Sequence, residues 1–283
     1  MKEIISASRR TDIPACYLDQ LLYFIHQGYA EISNPYSGKT FSVDLRPQNV
    51  HTMVLWSKNF THFLRKSEYF HQYHLYFLFT INDMPDLEPG IPVLSERLEQ
   101  VHELAARYGP ERIAWRYDPV VFTADGPVST VETFEQIGEY LVKRGIRRVI
   151  FSFLDLYEKV KARNQKFQLG IIDPPAHIKI EYASRINDIA RKLGISLESC
   201  SEMLDPIEGI IPGACINGKL LSELAGEQAN IARDPGQRSC CNCSISRDIG
   251  SYRGMPCFNG CLYCYANPVV VRTHHVSTLN GVS

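Results

Sequence analysis

No run of about eighteen consecutive apolar residues occurs in the chain, and its opening, Met1-Lys2-Glu3-Ile4-Ile5, lacks the apolar stretch of a secretory signal. The expectation is a cytoplasmic protein with no membrane span. Charge of either sign is not in excess: 30 Lys and Arg against 31 Asp and Glu leave a net charge of -1. That removes the broad basic footprint of a dedicated nucleic-acid binder. Internal repeats and low-complexity tracts are missing as well, which sets aside solenoids and disordered linkers. What is present is the composition of an ordinary globular protein, 45% hydrophobic and 22% charged over 283 residues, enough chain for one large domain or two small ones. Nine cysteines in a reducing compartment make poor disulfide candidates. Those grouped toward the end read as metal ligands or redox-active thiols.

Along the chain, apolar strand-like runs alternate with amphipathic helical patterns. Residues 3 to 8 read as a short buried strand, and Pro14 opens a helix that runs to about Gly28. Residues 29 to 33 and 40 to 45 suit short strands around an Asn34-Pro35-Tyr36-Ser37-Gly38 turn. Further strands are expected at 51 to 56, 74 to 80, 112 to 116 and 148 to 153, with a last short one at 195 to 199. Helices are expected between them, among them 91 to 108, 130 to 143 and a long one ending at Leu193-Gly194. About seven such units imply a mostly parallel sheet and favour a (β/α) barrel, TIM-like and closed or partial, over residues 1 to 200. Residues 201 to 283 form a cysteine-rich, cluster-binding region packed on the barrel mouth.

Barrel enzymes carry their chemistry on the loops after the strands. The residues at those places are Arg9, Arg10, Asp12, Lys58, Asn59, Asn82, Arg116, Asp118, Asp155, Glu198 and Cys200. A single polar residue there is commonly a turn or helix cap. Six such strand ends favour a shared polar mouth. Arg9 and Arg10 suit a carboxylate or phosphate, gripped bidentately; the plainer reading pairs one of them with Asp12 and leaves the other solvated.

The stretch that organises the chain lies near its end: Cys257-Phe258-Asn259-Gly260-Cys261-Leu262-Tyr263-Cys264. Three thiols at this spacing turn toward one point, and soft thiolates there suit an iron–sulfur cluster, Zn or Cu(I). The run supplies no fourth ligand, so an iron–sulfur cube held here keeps one iron open to an outside molecule. A second group of four can be drawn from Cys200, Cys215, Cys241 and Cys243, with Cys240 as a substitute, and four thiolates complete a [4Fe–4S] cluster with no vacant iron. An alternative joins Cys241-x-Cys243 to Cys261-x-x-Cys264 as a zinc knuckle that staples the tail. Cys16, on the first helix, reads as an inert buried thiol. His274 and His275 are adjacent and point in different directions in a strand, so joint ligation is not expected.

The Cys-x-x-x-Cys-x-Tyr-Cys order, with Tyr263 at the aromatic position, resembles the signature of radical S-adenosylmethionine (SAM) enzymes. Ser8-Arg9-Arg10-Thr11-Asp12-Ile13-Pro14, Trp115-Arg116-Tyr117-Asp118-Pro119 and Asp248-Ile249-Gly250-x-Tyr252, together with the cysteine run and Tyr265-Ala266-Asn267, resemble the bacterial DUF1848 family, a domain of unknown function, over essentially the whole length. The radical-SAM resemblance implies that Cys257, Cys261 and Cys264 hold a [4Fe–4S] cluster whose open iron binds SAM. It further implies cleavage of SAM to methionine and a 5'-deoxyadenosyl radical that takes a substrate hydrogen, with electrons from a donor such as flavodoxin or ferredoxin. Such relatives often carry an auxiliary cluster, a role open to the second thiol group. Arg9, Arg10 or Arg116 would then grip an anionic small-molecule substrate or the SAM carboxylate, and Asp12 or Asp118 a ribose hydroxyl or ammonium. Tyr265-Ala266-Asn267 is also similar to photolyase-like lyases of that superfamily, which brings a nucleotide-like substrate into range. The motif departs from the usual order by following most of the chain, so either the order is permuted or the cluster belongs to a C-terminal appendage. Two readings of other classes stay open: a zinc-stapled barrel hydrolase or binding protein without redox activity, and an iron–sulfur electron-transfer or sensor module.

Overall fold

The computed structural model describes residues 1–33, 38–202 and 207–270. Most of the expected turn at 34 to 38, and both His274 and His275, fall outside them. The chain begins with β1 (Glu3–Ala7), α1 (Ile13–Cys16), α2 (Leu18–Gln27), a hairpin of β2 (Tyr29–Ser33) and β3 (Thr40–Asp44), β4 (Val50–Ser57), α3 (Thr61–Arg65) and β5 (Leu75–Thr80). It continues with α4 (Leu94–Tyr108), β6 (Ile113–Val120), the short β7 (Phe122–Thr123) and β8 (Gly126–Pro127), α5 (Val131–Val142) and β9 (Arg148–Phe153). Last come α6 (Glu158–Phe167), β10 (Ile171–Ile172), α7 (Ala176–Leu193), β11 (Ser196–Ser199), β12 (Ile210–Pro212), α8 (Gly218–Ala225) and β13 (Arg247–Asp248). Among the described residues no helix is long and apolar enough to cross a membrane.

The result is an α/β fold around a parallel eight-stranded sheet in the order β12-β11-β9-β6-β5-β4-β1-β13. Its central strands are buried on both faces, which is why β4 and β5 read as continuous apolar runs instead of alternating ones. One face, with Ile5, Leu55, Phe77, Trp115 and Phe151, packs against the helices. The opposite face carries Ile4, Val54, Trp56, Tyr76, Leu78, Ala114 and Ile150, and it meets Cys215, Ile216, Leu221, Cys241 and Cys243 from the last quarter of the chain.

Two expectations need correction. The single helix from Pro14 to Gly28 is broken at Tyr17, whose backbone leaves the helical region (φ -137°, ψ 28°) as its hydroxyl donates to Pro256 O at 2.7 Å. Gly28 does end the second piece, with φ 84° that a side chain would disfavour. Nor is the strand at 195 to 199 the last: β12 and β13 add both edges of the sheet, so a cut at residue 200 does not separate sheet from cysteine-rich region. β13 is only two residues long, and its pairing with β1 is reinforced by Asp248, which accepts from Ser6 Oγ (2.8 Å), Ser8 Oγ (2.7 Å) and Arg9 N (2.8 Å).

Candidate metal centre

Cys257, Cys261 and Cys264 lie in one irregular loop whose ends close on each other: Cys257 N donates to Asn267 O (3.1 Å) and Val269 N to Cys257 O (2.7 Å). The loops after β1 and β5 hold it at the carboxyl edge of the sheet. Leu262 N donates to Leu87 O (2.9 Å) and Gly90 N to Asn259 O (3.1 Å). From α6, Arg163 Nε donates to Leu262 O (2.8 Å). Asp12 anchors the same loop. Its carboxylate accepts from Ala15 N (3.0 Å), Ser57 Oγ (2.7 Å), Lys58 N (3.0 Å) and Asn259 Nδ2 (2.7 Å), which fills the four acceptor positions of a carboxylate. Neither arginine pairs with it, contrary to the plainer sequence reading, and it has no lone pair left for a substrate hydroxyl.

The three sulfurs are free thiols close enough to feel one another's charge. Burial pushes the Cys261 and Cys264 thiols up, whereas a hydrogen bond from Cys16 pulls Cys257 down. Cys16 is therefore a direct neighbour of the motif and no isolated core thiol. Tyr263 is buried and donates its hydroxyl to Glu88, which also accepts from Lys58 Nζ (2.6 Å) and faces Arg97 at 3.8 Å. Three observations suit these thiols to an anionic metal cluster. Cys264 Sγ accepts from Ala266 N (3.4 Å); Lys58 lies near Cys261 and Cys264; and Arg163, beside Cys264, keeps a buried Nη2 with no partner.

Of the charged residues expected at strand ends, the fold gathers Arg9 and Arg116 at one place, over the Trp56 ring at 5.4 and 4.8 Å. Asp118 pairs with Arg116 and accepts from Ser152. Arg10 turns elsewhere, donating to Gly250 O at 3.1 Å with its guanidinium 6.0 Å from the Tyr252 ring. Glu198 is held bidentately by Arg148 (2.7 and 2.8 Å), Asp155 by Arg238 (2.7 Å), and Asn82 is fully buried. The shared polar mouth thus reduces to Arg9, Arg116 and Asp118.

Beside that mouth lies the second thiol group. Cys200 Sγ is 3.6 Å from Cys215 Sγ, Cys215 neighbours Cys243, and Cys243 neighbours Cys241. Cys240 donates instead to the backbone, to Ser201 O (3.3 Å). The zinc knuckle that joins Cys241 and Cys243 to Cys261 and Cys264 is not formed, because the two pairs pack in separate buried clusters. Among the described residues no three Cys, His, Asp or Glu donors already enclose a single-ion position.

Sequence reasoning missed Glu88, Trp56 and Arg163. Glu88 sits in an Asp86-Leu87-Glu88-Pro89-Gly90 turn that looks solvated. The signal for it was Lys58, a cation at the end of a buried strand in need of a counter-charge.

Fold and site together define an α/β protein with a parallel eight-stranded sheet and two separate thiol groups, one in a loop at its carboxyl edge and one packed on a face of the sheet. The chain belongs to the family described as Domain of unknown function (DUF1848), whose pattern matches residues 4–266 and so spans all nine cysteines. No curated protein matches it.

Proposed function

We propose that this protein is a radical-SAM-like iron–sulfur enzyme acting on a small, anionic or nucleotide-like substrate. Cys257, Cys261 and Cys264 would hold a [4Fe–4S] cluster with one open iron. When bound, that cluster supplies the electron that cleaves SAM to methionine and a 5'-deoxyadenosyl radical. The observation that carries the reading is the placement of the motif: a closed, partly buried loop with three free thiols, docked on the carboxyl edge of a parallel sheet where α/β proteins bind ligands.

The chain's own residues have identifiable tasks in this reading. Lys58 and the unpartnered Arg163 Nη2 balance an anionic centre. Asp12 fixes the loop through Asn259, and Tyr263 wedges it against Glu88. Arg9 and Arg116, stacked near Trp56, are the cations available to an anionic substrate. In this reading the sheet rolls into a barrel whose seam lies between β12 and β13. Ser244 N donates to Ile216 O (2.8 Å) and Gly218 N to Ser244 Oγ (3.0 Å), joining the segments next to the two edge strands. Free thiols in this number fit a reducing cytoplasm, and a flavodoxin or ferredoxin is the class of donor the chemistry needs.

Anaerobically reconstituted protein mixed with SAM and dithionite should release 5'-deoxyadenosine, and replacing Cys257, Cys261 and Cys264 by Ala should abolish it. Release undiminished in the triple variant, or none from iron-loaded wild type, rejects the reading.

A further inference from the structure

Four of the nine cysteines meet on the face of the sheet that carries Val54, Trp56 and Ile150, and they reach it from both of its edges. Cys200 follows β11, Cys215 follows β12, and Cys241 and Cys243 precede β13. Buried thiols often serve only as small apolar side chains. Three features here go beyond that role.

First, the loop bearing Cys241 and Cys243 is tied into a fixed shape. Arg233 donates Nε to Cys241 O (2.8 Å) and Nη2 to Arg238 O (2.6 Å) and Ser239 O (2.9 Å), while Asp234 N donates to Cys243 O (2.9 Å). Second, Cys243 Sγ accepts from Ile216 N at 3.4 Å, the type of backbone N–H···S bond that favours a ligating thiolate. The Cys264 sulfur receives the same kind of bond from Ala266 N (3.4 Å). Third, Arg9 lies beside Cys243 and Cys215, and Arg116 beside Cys200 and Cys215. Arg9 Nη2 and Arg116 Nε are buried with no hydrogen-bond partner.

We propose that Cys200, Cys215, Cys241 and Cys243 hold a second thiophilic metal centre through four thiolates, separate from the Cys257, Cys261 and Cys264 loop. Each coordinating thiol gives its proton to solvent as the metal enters. The unpartnered guanidinium nitrogens then face a net negative centre. The Cys200–Cys215 distance of 3.6 Å is close to the edge of a tetrahedral zinc–thiolate site, about 3.8 Å for Zn–S bonds of about 2.3 Å. An iron–sulfur cube uses the same four thiolates more widely spread. The assignment does not rest on the radical-SAM reading.

The test starts from the variant in which Cys257, Cys261 and Cys264 are Ala, so only the second site can be loaded. It is treated anaerobically with iron and sulfide, and separately with zinc, then desalted and measured by elemental analysis and native mass spectrometry. The expected result is about four irons with matching sulfide, or about one zinc, per folded chain. Adding Cys215→Ser or Cys243→Ser should remove that metal, and Cys240→Ser should leave it. Should the Ser variants unfold by circular dichroism, the metal content of the triplet variant and of its Cys240→Ser derivative still decides. A folded triplet variant that retains neither metal overturns the proposal, as does metal that survives Cys215→Ser in folded protein. Neither readout depends on SAM cleavage, so failure of the enzymatic reading and failure of this one are distinguishable.

Discussion

Glu88 has a fully buried carboxylate shared by Lys58, Tyr263 and Arg97. Removing it strands two cations out of water, so Glu88→Ala should lower stability by about 3–5 kcal/mol in urea denaturation. Adding Lys58→Met should recover part of the loss, because one of the stranded charges is gone. Equal destabilisation in single and double variants would show that the ion pair is not coupled. Glu202 offers a pH test. Burial pushes its carboxyl up to about 7 from the usual 4.5, against the hydrogen bond from Phe153 N (2.7 Å). The folded state therefore keeps this proton over a range where the unfolded chain has lost it. Stability from this group is full below pH 4.5 and falls as pH rises toward 7. Glu202→Gln should flatten that part of the stability–pH curve, and an unchanged slope would assign it to other groups.

Among the elements, the legible ones are those with long, buried apolar runs. β4, β5 and β9 were readable because a strand covered on both faces has little choice of residue. β12 and β13 were not readable: Ile210–Pro212 and Arg247–Asp248 are too short for any period, and their pairing is set by neighbours and by Asp248. The same contrast holds at the site. Residue type and spacing identified the cysteine triplet and proposed the second group of four, but only the packing separates Cys240 from Cys241 and brings Cys16 to Cys257. The loop of the triplet depends on one close approach that sequence does not reveal. A Cβ on Gly90 would lie 2.6 Å from Asn259 O and 2.9 Å from Asn259 C, both backbone atoms. Gly90→Ala should therefore push residues 257 to 264 off the sheet edge, costing about 1–3 kcal/mol and lowering iron occupancy at the triplet. Gly254→Ala, whose new methyl meets only Ser251 at 3.4 Å, serves as the control and should change stability by less than about 0.5 kcal/mol. Iron content that is equal in the two variants would mean that the loop yields without moving its sulfurs.

At the scale of the whole molecule, the weak line of the proposed barrel runs between the two sheet edges, because among the described residues β12 and β13 each have a single strand neighbour. Among the described residues, the backbone N–H hydrogen bonds that join the segments beside them are few: Ser244 N to Ile216 O, Gly218 N to Ser244 Oγ and Ile216 N to Cys243 Sγ. All three lie next to Cys215 and Cys243. A metal held by Cys200 and Cys215 on one edge, and by Cys241 and Cys243 on the other, would therefore act as a clasp across this line. A clasp stabilises what it spans and leaves distant strands alone, since local opening is governed by local contacts. Hydrogen exchange on metal-loaded and metal-stripped protein should show faster exchange without metal in residues 196 to 202, 207 to 216 and 241 to 250. Protection in β4, β5 and β6, at the middle of the sheet, should not change. Uniform loosening would mean that the metal stabilises the global fold only. Exchange unaffected by metal in the two edge segments would remove the clasp altogether and leave the seam to its hydrogen bonds.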